Sequence, residues 1–148
     1  MNVTANADLV LEVFHAIERR NRARVLSLCQ PDVEFLWPPS LPYGGGRGGT
    51  WTQTWLPLQP TWAEQGMDAR VVAASEHEVV VLWQQRGARG DGDRLDTPVL
   101  GLYEVRDQKL ARAQMFYFDP VAVADFLGRA SQPSTGGVNV TRGGGISW

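Results

Sequence analysis

Apolar and polar positions alternate through residues 96–119, DTPVLGLYEVRDQKLARAQMFYFD. A period of two predicts two strands, and Arg106-Asp107-Gln108 between them predicts a tight turn. One predicted face carries Val99, Gly101, Tyr103, Gln114, Phe116 and Phe118, and the other carries Pro98, Leu100, Leu102, Ala113, Met115 and Tyr117. Both faces are largely apolar, so both must be covered. We expect the chain's own helices on one face, a second subunit on the other, and a small-molecule pocket within the curved sheet.

Helical spacing of apolar residues dominates the first thirty positions. A first helix, capped by Asn6 or Asp8, is predicted to run to about residue 20. Its buried stripe is Val10, Val13, Phe14 and Ile17. A second, short helix begins at Asn21 and is stopped by Pro31. Its predicted core-facing residues are Val25, Leu26 and Leu28.

The remaining pattern predicts one α+β domain over residues 1–127 and a Gly-rich tail over 128–148. A strand is expected at 32–37, then a Pro/Gly-rich loop, and then a helix over 50–65 that Pro57 and Pro60 must break. Strands at 68–75 and 78–87 precede the hairpin, and a last helix runs from Asp119-Pro120 to Leu127. Helices first and a meander last favour helices packed on one face of a bent antiparallel sheet.

Composition narrows the class of protein. Of 148 residues, 43% are hydrophobic and 20% are charged, as in ordinary globular proteins. A formal net charge of −2 gives no reason to expect nucleic acid or a membrane as a partner. A single cysteine, Cys29, cannot form an internal disulfide, and the N-terminal segment lacks the pattern of a signal peptide. These observations predict a cytoplasmic protein.

Three segments carry a family resemblance. They are FHAIERRNRARVLSLCQPDVEF, LPYGG at 41–45, and GLYEVRDQKLARAQMFYFD at the end of the predicted meander. Together they resemble the nuclear transport factor 2-like superfamily, which includes ketosteroid isomerase, limonene epoxide hydrolase and the SnoaL-like polyketide cyclases. The last segment is the most specific and is similar to SnoaL-like proteins. The resemblance implies a cone-shaped, curved antiparallel sheet wrapped around N-terminal helices.

The same resemblance argues against two reactions. In a gapless comparison, the base and the two oxyanion-hole positions of ketosteroid isomerase fall on Trp37, Val13 and near Gly101. The proton-relay positions of limonene epoxide hydrolase fall on Leu82, Gln84 and Phe116. None of these side chains can take the required proton. Both reactions by those routes are therefore disfavoured.

Asp119 and Tyr43 are the candidate catalytic residues. Asp119 lies near the position that the resemblance gives to the SnoaL-like general base, and a desolvated carboxylate there could remove an acidic carbon-bound proton. Asp119-Pro120 is equally a good helix N-cap and N1 pair. Tyr43, in LPYGG, could donate a hydrogen bond to a ligand carbonyl or simply pack at the pocket rim.

Aromatic side chains are expected to line the pocket, with a few polar groups to orient a flat hydrophobic ligand. The predicted ligand-binding residues are Trp37, Trp55, Trp62, Leu82, Gln84, Tyr103, Gln114, Phe116 and Phe118. His15 and His77 are far apart and predict no metal site.

The sheet face turned away from this pocket is predicted to form a homodimer, because a wide apolar surface should not stay in water. Its expected members are Val79, Val81, Trp83, Leu100, Leu102, Met115 and Tyr117. Coverage by the C-terminal tail is the alternative.

We interpret the chain as a SnoaL-like enzyme that acts without metal or organic cofactor on a hydrophobic, polycyclic or polyketide-like metabolite. The reaction would be a cyclisation, an isomerisation or a related proton transfer. A non-catalytic binder of a hydrophobic ligand is the main alternative. An epoxide hydrolase-like enzyme and a pure dimerisation module are the others.

Overall fold

The computed structural model describes residues 2–41, 66–88 and 92–130. The described helices are α1 (Val3–Glu18), α2 (Arg22–Ser27) and α3 (Pro120–Ala130). The described strands are β1 (Cys29–Leu36), β2 (Arg70–Ala74), β3 (Glu78–Ala88), β4 (Arg94–Arg106) and β5 (Lys109–Tyr117). This order confirms the predicted α+β class. The predicted broken helix over 50–65 and the tail beyond residue 130 lie outside the described residues.

The first helix begins earlier than its apolar pattern indicates. Asn2 is the N-cap, and its Oδ1 accepts a hydrogen bond from Thr4 N at 2.7 Å. The expectation that Asn6 or Asp8 caps this helix is wrong, because both lie within it. Asn6 is instead fully buried, and its Nδ2 donates to the carbonyls of Ser75 and Glu76 at 3.3 and 2.9 Å. It ties α1 to the turn between β2 and β3, and the predicted apolar stripe of α1 is confirmed.

The second helix is largely as predicted. Asn21 caps it and accepts a hydrogen bond from Arg24 N at 3.0 Å. Val25 and Leu28 are buried, but Leu26 is 45% exposed, so its core assignment is wrong. A six-residue helix turns through less than two full turns and presents only a narrow stripe to its neighbours.

The five described strands form one sheet in the order β1-β5-β4-β3-β2. Strands β2 to β5 pair antiparallel, as the meander predicts. Strand β1 joins the far edge and runs parallel to β5, with Phe35 opposite Ala113. The N-terminal and C-terminal halves of the fold therefore meet inside one sheet.

The hairpin has a different register from the one that alternation alone predicts. Asp107 and Gln108, both with positive φ, form a two-residue turn between the paired Arg106 and Lys109. A bulge then places the extra residue Ala111 in β5, so that Val105 pairs with Leu110 but Glu104 pairs with Arg112. One extra residue moves every later side chain of a strand to the opposite face.

The two sheet faces are consequently reassigned. The inner face, which faces α1, carries Val79, Val81, Trp83, Gln85, Thr97, Val99, Gly101, Tyr103, Ala113, Met115 and Tyr117. The outer face carries Val80, Leu82, Gln84, Pro98, Leu100, Leu102, Gln114 and Phe116. The predicted grouping of Gln114 and Phe116 with Tyr103 is wrong because of the bulge.

Candidate functional site

The candidate site is a small cavity between α1 and the inner face of the sheet. Its described walls are Val13, Phe14, Ile17, Phe35, Met67, Trp83, Tyr103 and Met115. Helical spacing places the three α1 residues on one side, and strand alternation places Trp83 and Tyr103 opposite them. All of these walls are apolar except for the Tyr103 hydroxyl and the Trp83 indole N–H.

Aromatic rings fix the shape of this cavity. The Phe14 ring lies 5.8 Å from Trp83 and 5.7 Å from Tyr103, in tilted and edge-to-face contacts. Trp83 also meets Tyr117 edge-on at 6.3 Å. Such contacts between buried rings resist reorientation. The Phe14 ring therefore restricts both the Trp83 ring and the Tyr103 ring.

Tyr103 lies flat across Gly101, its neighbour two residues earlier on the same face. A Cβ atom on Gly101 would stand 2.5 Å from Tyr103 Cε2 and 2.5 Å from its Oη. Glycine is thus required at 101 by this close approach. The phenol hydroxyl lies in the space that any side chain at 101 would enter.

The Tyr103 hydroxyl is a neutral donor in a dry environment. Burial raises the pKa of Tyr103 far above its ordinary value, and the Trp83 N–H opposes that shift only in part. The hydroxyl donates to Met115 Sδ at 3.5 Å. A thioether is a weak acceptor, so this hydroxyl can exchange its sulfur partner for a better one.

Met67 is a wall residue whose backbone is fixed by hydrogen bonds. Its amide donates to Glu18 Oε2 at 2.6 Å, and its carbonyl accepts from Gln84 N at 2.8 Å. Its neighbour Asp68 pairs with Arg86, Nη2 to Oδ2, at 2.7 Å. The backbone is fixed, while the unbranched thioether side chain can adapt to what it touches.

A second polar group lies further along the inner face. Gln85 and Thr97 are buried side chains at paired positions of β3 and β4. The Tyr117 hydroxyl donates to Gln85 Oε1 at 3.3 Å. This end of the face offers amide and hydroxyl groups that can orient a ligand without carrying charge.

The structure places only some of the binding residues predicted from the sequence at the cavity. Tyr103 lines the cavity, and Trp37 is buried behind it with its ring stacked on Phe35 at 5.5 Å. The expectation that Leu82, Gln84, Gln114 and Phe116 face the cavity is wrong, because these residues lie on the outer face. Phe118 follows β5 and is 81% exposed. Tyr43, Trp55 and Trp62 lie outside the described residues.

Asp119 is the N-cap of α3. Its Oδ1 accepts a hydrogen bond from Ala122 N at 3.0 Å, and the residue is exposed. The capping role is established by this contact, and the role as a base stays a prediction.

Sequence reasoning missed four inner-face residues, Trp83, Met115, Gln85 and Tyr117. The gapless comparison places Leu82 and Gln84 in the pocket and therefore puts Trp83 on the opposite face, and it gives Gln85 no role. The run from Val79 to Trp83 is apolar at every position and is followed by two glutamines, so period-two alternation could not tell the two faces of β3 apart. The placement of Met115 and Tyr117 depends on the bulge, and the two adjacent apolar residues Leu110-Ala111 are only a weak sign of it.

Neither a metal-binding cluster nor a membrane-spanning helix is found in the described residues 2–41, 66–88 and 92–130. They contain no group of three or more His, Cys, Asp or Glu placed to hold a metal ion. They also contain no helix that is long and apolar enough to cross a membrane.

Solved structures with this fold are numerous. Bal32a from a soil-derived mobile gene cassette is 16% identical, with a TM-score of 0.71 over 84% of this chain and 98% of that one. TerC, co-crystallized with polyporic acid, is 21% identical, with a TM-score of 0.67 over 84% and 98%. A candidate polyketide cyclase from Xanthomonas campestris pv. campestris is 20% identical, with a TM-score of 0.63 over 79% and 93%. At these identities the likeness establishes the fold alone.

The sequence itself gives the family. No protein of curated function matches it. The SnoaL-like domain matches residues 10–113, from the middle of α1 to the inner-face residue Ala113 of β5. This match includes every described wall of the cavity except Met115. The chain therefore belongs to the SnoaL-like family.

Proposed function

We propose that this chain binds a flat hydrophobic metabolite, polycyclic or polyketide-like, in the cavity between α1 and the inner face and promotes its cyclisation or isomerisation. A carbonyl oxygen of the metabolite accepts a hydrogen bond from Tyr103. The apolar walls and their two neutral donors, the Tyr103 hydroxyl and the Trp83 N–H, support this ligand class. The candidate polyketide cyclase and the polyporic acid complex among the similar structures agree with it.

The Tyr103 hydroxyl is the observation that carries the proposal. It is buried and bonded to a thioether at 3.5 Å, so a ligand carbonyl can replace that weak acceptor at little cost. Hydrogen bonds strengthen about twofold when the acceptor becomes charged. The same donor would therefore favour an enolate over its parent ketone, and Asp119 is the candidate base that would take the carbon-bound proton in such an isomerisation.

Room for the ligand comes from the two methionines. Between the described walls the free space is about 10 Å³, which is close to the volume needed for one water. A polycyclic ligand must displace side chains to enter. Met67 and Met115 are the walls with three rotatable bonds each, and they yield before the interlocked rings of Phe14 and Trp83.

A non-catalytic binder is the second candidate. None of the described walls is a carboxylate, a histidine or a lysine that could take a proton at neutral pH. Orientation by apolar walls alone can still promote a ring closure. Recovery of the natural ligand unchanged after prolonged incubation with the protein would favour the binder.

Fluorenone and fluorene make a matched pair of probes, since they differ only in the carbonyl group. We expect wild-type protein to bind fluorenone more tightly than fluorene, as followed by quenching of tryptophan fluorescence. Tyr103→Phe should weaken fluorenone binding by about 2- to 12-fold, the value of one neutral hydrogen bond, and leave fluorene binding unchanged. Tyr117→Phe removes the other inner-face hydroxyl and serves as the control. Equal losses of affinity for fluorenone and fluorene would contradict the proposed role of Tyr103.

A further inference from the structure

Gly66-Met67-Asp68, here called the wall segment, carries a cavity wall on an unusual backbone. Gly66 has a φ of 67° and Asp68 a φ of 51°, so both lie in the left-handed region. Between them Met67 is 1% exposed and lines the cavity. A residue such as Asp68 stays in this region only when its surroundings fix it there, and such residues gather at functional sites. The contacts of the wall segment are therefore the place to look for a further functional residue.

Glu18 makes the shortest of these contacts. Its Oε2 accepts a hydrogen bond from Met67 N at 2.6 Å, and the residue is half-buried. A hydrogen bond to a charged acceptor is about twice as strong as one between neutral groups. Gly66 leaves room for the carboxylate, because a Cβ atom there would stand 3.0 Å from the same Oε2.

The helix itself does not explain a glutamate at this position. Glu18 is the last residue of α1, where a negative charge opposes the helix dipole. Glu12, on the same helix, accepts from Arg19 at 2.9 Å at the protein surface. The Glu18 carboxylate instead reaches the backbone of a cavity wall. This contact accounts for an acidic residue at the end of α1.

Arg86 contacts the wall segment from the sheet. Its Nη2 lies 2.7 Å from Asp68 Oδ2, and its Nη1 donates to the Gly66 carbonyl at 3.3 Å. The Asp68 side chain is 66% exposed, and ion pairs in contact with water contribute little to stability. The half-buried hydrogen bond from Met67 to Glu18 is therefore the stronger of the two attachments.

We propose that Glu18 is a positioning residue, which fixes Met67 from outside the cavity and thereby limits the size of the ligand that the cavity admits. While the backbone is fixed, only the flexible thioether side chain of Met67 can move aside. A larger ligand must displace the wall segment as well, and so must break the hydrogen bond to Glu18. The size limit rests on the proposed function, but the positioning of Met67 does not.

Two flat ketones of different size test the limit. Fluorenone has three fused rings and benzanthrone has four, and we expect wild-type protein to prefer fluorenone. Glu18→Ala should raise the affinity for benzanthrone relative to fluorenone by about 10-fold or more, because a hydrogen bond to a charged group no longer opposes the displacement. Glu18→Gln keeps an acceptor oxygen and should restore most of the wild-type preference. Glu12→Ala is the matched control on the same helix and should keep that preference.

Nuclear magnetic resonance of protein labelled with methyl-13C methionine tests the positioning without any ligand. The chain has three methionines, and Met67→Leu assigns the signal of Met67. Met67 shares the cavity with four aromatic rings, so we expect its methyl signal to be shifted from the position it has in the urea-unfolded protein. Glu18→Ala should move the signal towards that unfolded position, whereas Glu18→Gln and Glu12→Ala should leave it in place.

The two readouts separate this proposal from the proposed function. A ligand preference that Glu18→Ala leaves unchanged would overturn the proposal, and so would an equal change in Glu12→Ala. If neither ketone binds to the wild type or to any variant, the proposed function is contradicted and the methyl signal decides. A signal moved by Glu18→Ala alone then supports the positioning role, and an unmoved signal overturns it. Circular dichroism confirms that each variant is folded.

Discussion

Replacing Gly101 with alanine tests the packing that defines the cavity. The new methyl carbon would stand 2.5 Å from two atoms of Tyr103 and 2.7 Å from a third, about 1 Å inside normal contact. Tyr103 is 2% exposed and held edge-on by Phe14 at 5.7 Å, and the cavity beside it has room for about one water only, so its ring has little space to enter. Overpacking of this kind costs about 1–3 kcal/mol. We expect Gly101→Ala to lower the free energy of unfolding by that amount, as measured by urea denaturation.

A double-mutant cycle isolates the cause. Tyr103→Leu removes the ring and on its own should cost about 3 kcal/mol through the lost packing. In the double variant the methyl group at 101 no longer meets a ring. The loss of unfolding free energy in the double variant should therefore be smaller than the sum of the two single losses by about 1–2 kcal/mol. Gly128→Ala is the control, because nothing lies within 4 Å of a Cβ there, and it should stabilise α3 by about 0.5–1 kcal/mol. Strictly additive losses at 101 and 103 would refute the proposed close approach.

Two further outcomes follow from the described contacts. Asp119→Asn keeps a capping oxygen for Ala122 N and should leave the free energy of unfolding nearly unchanged, whereas Asp119→Ala should lower it by about 1 kcal/mol. If Asp119→Asn still turns over an identified substrate, the role of Asp119 is restricted to capping. Burial raises the pKa of Cys29 from 9.0 to about 12, against a smaller opposing effect of Lys109. The unfolded chain therefore releases the thiol proton first, and stability should decline as pH rises from 9 towards 12, by up to about 1.4 kcal/mol per pH unit. Denaturation midpoints of Cys29→Ala should show a shallower decline between pH 9 and 10, and an identical slope would contradict the assignment.

The helices and the order of strands could be predicted because they rest on local signals. Val10, Val13, Phe14 and Ile17 share a helical stripe, and only a core can satisfy them. Asn21 before a short apolar run is a sufficient cap signal. Asn6 misled the prediction because the residue type suits a cap, while its partners are carbonyls almost seventy residues away. Sequence patterns do not report such long-range partners.

The candidate site was harder to predict because it depends on register. Alternation indicates which residues share a face within one strand, but it does not relate that face to the next strand. The bulge at Ala111 sets this relation, and so decides whether Met115 or Phe116 meets Tyr103. The cavity wall Met115 could only be identified once that pairing was known.

The parallel pairing of β1 with β5 has a consequence for the order of folding. Phe35 of β1 meets Ala113 of β5, and the Leu28 carbonyl accepts a hydrogen bond from Leu110 N at 2.9 Å. Ribosomes add about 5–20 residues per second, so β5 is synthesised roughly 4–16 s after β1. During that interval the apolar side of β1 has no strand beside it. Contacts this distant in the chain slow folding, and the sheet cannot gain its β1 edge until the last strand has been synthesised.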